Sequence, residues 1–306
     1  MATAAGETWV GAFDVGGTKT VLAVVAGDGR IVARRRLPTP RAPEVEAFCA
    51  LLAKAWRHLV EEVGRPVRAV GLAAPGPVDP RAGVLHQVFD WPWRDVPLAA
   101  LLRERLGLPV VLDNDVNCCC LAERAWGAAR GAGDFAWVQV STGVGAGLVL
   151  GGELYQGAAG LAGEIGHVVL EEGGPACACG RRGCLQALVS GPAIARRWAE
   201  RSGRSEADAR EVFRLAARDR EARAVVAEVA RDLGRGLACL VNLLNPGLVV
   251  LGGGVMGSLA AYLPEVRAHV RARVIGEANQ RVPVVATAVG YDAPLLGAAV
   301  LALHRA

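Results

Sequence analysis

The sequence predicts a duplicated α/β architecture, and three observations carry that reading. Its 306 residues exceed one comfortable hydrophobic core and fall short of three ordinary domains, so two lobes are expected. A strand–turn–strand–turn–strand pattern runs through TWVGAFDVGGTKTVLAVVAGDGRIVARRRL, with glycine turns at Gly16-Gly17 and at Gly27 to Gly29. It recurs more than 100 positions later in FAWVQVSTGVGAGLVLGGELYQG, Phe135 to Gly157. Elsewhere β and α patterns alternate, which predicts largely parallel sheets crossed by helices.

Each element has a local signal. An amphipathic helix is expected near Glu44 to Glu62, a strand at VRAVGLAAPG, a helix near Leu98 to Leu106 and a strand at PVVLDND. That strand opens into a helix whose apolar face continues through Leu121 and Trp126. After Gln186 come helices broken at Gly191-Pro192, then a long helical stretch to Leu244 and a buried strand in GLVVLGGG. A strand near Val282 to Val289 and a helix near Pro294 to His304 close the chain. No low-complexity linker divides it, so the lobes are expected to share a hinge.

Composition narrows the class of protein. Hydrophobic residues make up 52% of the chain, enough for a large core. The net charge of +4 is spread out, and its densest runs, Arg34-Arg35-Arg36 and Arg181-Arg182, read as solvated faces rather than a nucleic-acid surface. No apolar stretch reaches the roughly 18 residues of a membrane span, and MATAAGETWV lacks a signal-peptide plan. The expectation is a soluble cytoplasmic protein whose cysteines are reduced, which favours metal binding over disulfides.

The glycine turns carry the first chemical signal. Without a Cβ the backbone N–H groups at Gly16, Gly17 and Gly143 approach an anion closely, and Thr18, Lys19, Ser141 and Thr142 add donors. Two such turns, with Gly252, Gly253 and Gly254 after a buried strand, suit a polyphosphate better than ordinary hairpins do. Asp14 ends the first strand where a carboxylate would hold the magnesium that travels with ATP. Gly252, Gly254 and Gly257 also spell GxGxxG, but the acid that should end the following strand is missing, since Glu277 precedes the next apolar run. Asp115, in LDND, has two readings: a helix N-cap, or a general base for a substrate hydroxyl. Cys118, Cys119 and Cys120 point in different directions from a helix and read as small packing residues. Cys177, Cys179 and Cys184 fall within eight positions in CACGRRGCLQ; a tetrahedral metal would need a fourth ligand.

Together FDVGGTKT, DNDVN, EIGH and CACGRRGC resemble the ROK family of sugar kinases, repressors and open reading frames, in order over nearly the whole chain. The resemblance implies a two-lobed actin-like ATPase fold of the hexokinase type, ribonuclease H-like, with sugar in the cleft between lobes. It implies a small lobe over 1–112, with the C-terminal helix 291–306 packed on it, and a larger lobe over 113–290. The fourth ligand of a structural zinc is then His167, joining Cys177, Cys179 and Cys184. Gly76, Asn114, Asp115, Glu164, His167 and Gln186 match sugar-binding positions, with Asp115 the catalytic base. Asp14, Gly16, Gly17, Thr18, Lys19, Thr142, Gly143 and Gly252 to Gly254 take Mg2+ and ATP. Asp90 lies near the position of a further sugar contact.

The implied activity is phosphorylation of a hexose, most simply glucose at C6. The alternatives are N-acetylmannosamine, N-acetylglucosamine, mannose or fructose, or a non-catalytic sugar sensor. A homo-oligomer, dimer or tetramer, is implied too. The family's repressors carry a helix-turn-helix ahead of the first phosphate turn. Only 13 residues precede Asp14, so no nucleic-acid partner is expected, and the lack of an apolar span argues against a membrane partner. One residue departs from the kinase pattern: Gln186 stands where those kinases usually carry glutamate.

Overall fold

The computed structural model describes residues 8–88 and 91–306. Strands β1 (Trp9–Val15), β2 (Lys19–Ala26) and β3 (Ile31–Pro38) form an antiparallel meander, and α1 (Val45–Val63) follows. Next come β4 (Val70–Ala74), β5 (Val78–Asp79), β6 (Val84–Gln87), β7 (Arg94–Val96), α2 (Leu98–Leu106), β8 (Val110–Asn114) and α3 (Asp115–Trp126). The second meander is β9 (Phe135–Val140), β10 (Val144–Leu150) and β11 (Glu153–Tyr155). Helices α4 (Leu185–Val189), α5 (Gly191–Ser202), α6 (Ala209–Leu215) and α7 (Arg220–Leu244) lead to β12 (Leu248–Gly252). The chain ends through α8 (Met256–Leu259), α9 (Leu263–Arg271), α10 (Gly276–Gln280), β13 (Val284–Ala286) and α11 (Ala293–Leu303).

Two compact units result. The first contains the chain up to Arg130 with Gly157–Leu161 and Asp292–Ala306; the second contains Gly131–Gln156 and Ala162–Tyr291. The boundary expected at 112 falls inside β8, and the first unit runs on to Arg130 because α3 packs on α11. Small residues let those helices meet: a Cβ on Gly297 would stand 1.8 Å from the Cys118 carbonyl oxygen.

In the first unit the sheet order is β3-β2-β1-β4-β8, with β1, β4 and β8 parallel. The strands β1 and β4 are apolar along nearly their whole length because α11 packs on them, while α1 lies against β2 and β3. The second unit repeats the plan with order β11-β10-β9-β12-β13 and parallel β9, β12 and β13. Its long helix α7 buries an apolar face through Val225, Val229, Leu233 and Leu237. The strand expected over 282–289 is only three residues long as β13. A three-stranded sheet, β5-β6-β7, joins the first unit without a sequence signal. Among the described residues no helix is long and apolar enough to cross a membrane.

Candidate phosphate, carboxylate and metal sites

In the first unit, β1 delivers Asp14 to the turn before β2. Gly16 N–H donates to the Lys19 carbonyl at 3.0 Å, and a Cβ on Gly16 would meet that oxygen at 2.9 Å. Gly17, Thr18 and Lys19 are exposed, while the turn is stapled from below by Thr39 N–H to the Thr18 carbonyl and by the buried Thr20–Thr39 hydroxyl pair at 2.8 Å. The result is a fixed turn with open donors.

The N-cap of α3 is Asn114, not Asp115. Asn114 Oδ1 accepts from Val116 N–H and Asn117 N–H, and its Nδ2 donates to the Gly76 carbonyl at 3.0 Å. Gly76 has φ +88° and a Cβ there would lie 2.2 Å from the Gln87 carbonyl oxygen, so only glycine fits. Buried Asp113 supports the same corner by accepting from Asn114 N–H and Asn117 Nδ2. Sequence reading passed over Asp113 and Asn117, although their i, i+4 spacing was a usable signal.

Freed from capping, half-buried Asp115 accepts only Val116 N–H at 2.9 Å among its hydrogen bonds to the backbone of other residues. Desolvation pushes its pKa up to about 6, against the pull of backbone N–H groups and Asn114. Asp14 is pushed to about 7, first by burial and then by the Asp115 charge, with Lys19 pulling the other way and Asp292 adding to the rise. Asp292 is a member of this acidic group that the sequence did not reveal. It opens α11 in the phrase YDAPLL, which resembles an ordinary cap, yet its carboxylate takes a two-pronged pair from Arg34 at 3.1 Å.

In the second unit the turn from β9 to β10 holds Ser141, Thr142 and Gly143, closed by Ser141 N–H to the Gly143 carbonyl at 2.9 Å. Gly252 to Gly254 run directly beside it. A Cβ on Gly253, whose φ is +95°, would stand 2.5 Å from the Val140 carbonyl oxygen, and one on Gly254 3.2 Å from Ser141 Oγ. Val255 N–H donates to the Val140 carbonyl at 3.0 Å. The two glycine stretches read separately from the sequence thus form one surface, and Gly252 packs on the Trp137 ring rather than opening a dinucleotide site.

The EIGH segment lies along β10. Gly163 and Gly166 admit it, since Cβ atoms there would meet the Ala146 and Val144 carbonyl oxygens at 1.8 and 2.0 Å. His167, Cys177, Cys179 and Cys184 bring one ligand atom each within 4.8 Å of one another. The Cys177 Sγ–His167 Nδ1 and Cys179 Sγ–Cys184 Sγ distances are both 3.7 Å. A tetrahedron with zinc–sulfur bonds of about 2.3 Å has edges of roughly 3.8 Å, so the donor set fits a closed structural zinc site. Nδ1 faces the thiols, and Nε2 is left 3.7 Å from Glu164 Oε2. Cys118, Cys119 and Cys120 are fully buried along α3, as packing residues should be.

Gln186 follows Cys184 on α4. Its Oε1 accepts Val144 N–H at 3.0 Å, which fixes the amide: a backbone N–H can only donate, so the carbonyl faces the turn and the NH2 faces elsewhere. Thr142, Cys177, Gln186, Ser190 and Arg196 line a cavity of about 290 Å3. Asp90 lies outside the described residues.

Comparison with known proteins identifies the family and the fold. The model of the ROK family matches residues 10–305. An N-acetylmannosamine kinase of Escherichia coli is 36% identical, covering 95% of this chain and 97% of that one. The crystal structure of a ROK hexokinase from Thermus thermophilus is 40% identical with a TM-score of 0.82, covering 97% and 99% of the two chains. A ROK family glucokinase from Streptomyces griseus, solved with glucose and AMPPNP, is 32% identical with a TM-score of 0.84 and the same coverage.

Proposed function

The chain belongs to the ROK family, and from that membership we propose that it is an ATP-dependent sugar kinase moving the γ-phosphoryl group of ATP to a hexose hydroxyl. The observation that carries this reading is Asp115. It is a half-buried carboxylate at a helix start, relieved of capping by Asn114 and poised near pKa 6, as a general base working near neutral pH requires. Asp115 accepts the hydroxyl proton as the sugar oxygen attacks phosphorus.

The remaining groups divide by unit. In the first, the Gly16–Lys19 turn binds phosphate oxygens, and Asp14 would hold magnesium, whose charge offsets that of the phosphates. In the second, Thr142, Gly143 and the Gly252 to Gly254 stretch bind phosphate and nucleotide, while Glu164 and His167 Nε2 take sugar hydroxyls. Zinc on the four ligands would fix the ring of His167 and thereby its free nitrogen.

Glucose, phosphorylated at C6, is the simplest substrate. Gln186 supports a second class, because its oxygen is committed to Val144 and it offers the sugar a donor. A 2-acylamino hexose, with a carbonyl that can only accept, suits that donor. The test of the kinase reading is Asp115→Asn: sugar binding by isothermal titration stays near wild type while turnover falls by about a hundredfold or more. Turnover within a few-fold of wild type would remove Asp115 from the chemistry.

A further inference from the structure

The backbone around the Ser141–Val144 turn is held at three points, and two of them belong to the segment that begins at the metal cluster. Gly191 N–H, at the start of α5, donates to the Ser141 carbonyl at 2.8 Å. Val255 N–H holds the Val140 carbonyl on the other side. The third point is a side chain: Gln186 Oε1 on Val144 N–H, with a Cβ on Gly143 only 3.1 Å from the same oxygen. Val144 is buried, so without Gln186 that N–H loses its partner away from water.

Gln186 stands two residues after Cys184, and its own position is set by the cluster. Cys184 is fully buried and pairs with Val169, Leu185 N–H donates to the Val168 carbonyl, and Val168 directly follows His167. A continuous path of direct bonds therefore runs from the four metal ligands through the start of α4 to the turn.

We propose that Gln186 is a positioning residue that ties the glycine turn to the metal cluster, so that metal loading and nucleotide affinity rise together. Ordering the cluster fixes the start of α4, and the amide oxygen of Gln186 passes that order to Val144 N–H. The coupling rests on the reading of this turn as phosphate-binding. It assigns to the metal a role in nucleotide binding as well as in holding His167. A glutamate retains the acceptor at this position, so the tie depends on the oxygen and not on the amide nitrogen.

The experiment measures binding of magnesium AMPPNP by isothermal titration, with hydrogen exchange of the peptide spanning the turn as a second readout. Zinc-loaded wild type is compared with Gln186→Glu, Gln186→Met, Cys179→Ser and the Gln186→Met/Cys179→Ser double variant. Gln186→Met should weaken nucleotide binding by about tenfold and speed exchange in the turn, while Gln186→Glu keeps both near wild type. Cys179→Ser should lose the metal and give a similar loss, and the double variant should be no worse than the weaker single variant.

Multiplying losses in the double variant, or wild-type affinity and exchange in Gln186→Met, would overturn the coupling while leaving the kinase reading intact. No nucleotide binding by the wild type would overturn both. If Gln186→Met does not fold, the comparison of Cys179→Ser with wild type decides alone: unchanged affinity and unchanged exchange on metal loss would refute the tie.

Discussion

Two carboxylates in the first unit are held above their ordinary range, and that has a sign. Asp115 titrates near 6 in the folded protein against 3.8 for a free aspartate, so the folded state binds its proton more tightly than the unfolded state does. Its contribution to stability is therefore full below about pH 3.8 and is lost as pH rises through about 6, a cost of about 3 kcal/mol at pH 7.5. Asp115→Asn should then raise the melting temperature at pH 7.5, by an amount that shrinks toward pH 4. If Asp115 were the cap of α3, the same substitution would lower it or leave it unchanged. Turnover in the wild type should rise with pH through about 6 as the base ionises, and calorimetry and a pH–rate profile check the two together. The sequence put Asp115 at a helix start but could not separate it from Asn114, because neighbouring Asn and Asp are equally good caps; only the bonds to Val116 and Asn117 do that.

The loop that carries Cys177, Cys179 and Cys184 behaves as one element. Gly183 has φ +72°, and a Cβ there would lie 1.6 Å from the Glu171 carbonyl oxygen, so the loop folds back tightly enough to bring Cys184 to Cys179. Metal analysis should find one zinc per chain, lost in Cys179→Ser together with part of the sugar affinity. A stoichiometric metal content in that variant would refute the ligand set.

The contact of α11 with α3 is equally exacting. Gly297→Ala forces its Cβ into the Cys118 carbonyl and should cost on the order of 3 kcal/mol by denaturant unfolding. The long helices α1 and α7 were legible by their period, and β12 by its unbroken apolar run ahead of three glycines. The strands β5 to β7 have two to four residues each and the helices α8 and α10 four and five, too short for either period to register.

At the scale of the whole molecule, the duplication was readable because each glycine turn follows a strand that must be apolar. The unit boundary was not, since α3 is placed by its packing on α11, which begins only at Ala293, far along the chain from Trp126. The same holds for Gln186: its identity was plain as a departure, but its role depends on where Val144 N–H points. On the proposed kinase reading, sugar preference would follow from that geometry. Gln186→Glu should raise the specificity constant for glucose and depress it by roughly ten- to a hundredfold for a 2-acylamino hexose, because a carboxylate repels a carbonyl that an NH2 would bind. Equal shifts for both sugars would mean that the side chain acts on the fold and not on recognition.

The most direct measurement is ADP release by the wild-type protein with magnesium ATP across glucose, mannose, fructose, N-acetylglucosamine and N-acetylmannosamine. A sugar kinase should release ADP in step with sugar phosphate for at least one of these hexoses, with glucose or a 2-acylamino hexose at the head of the series. ADP release that no hexose stimulates, from protein that still binds the sugars, would contradict it.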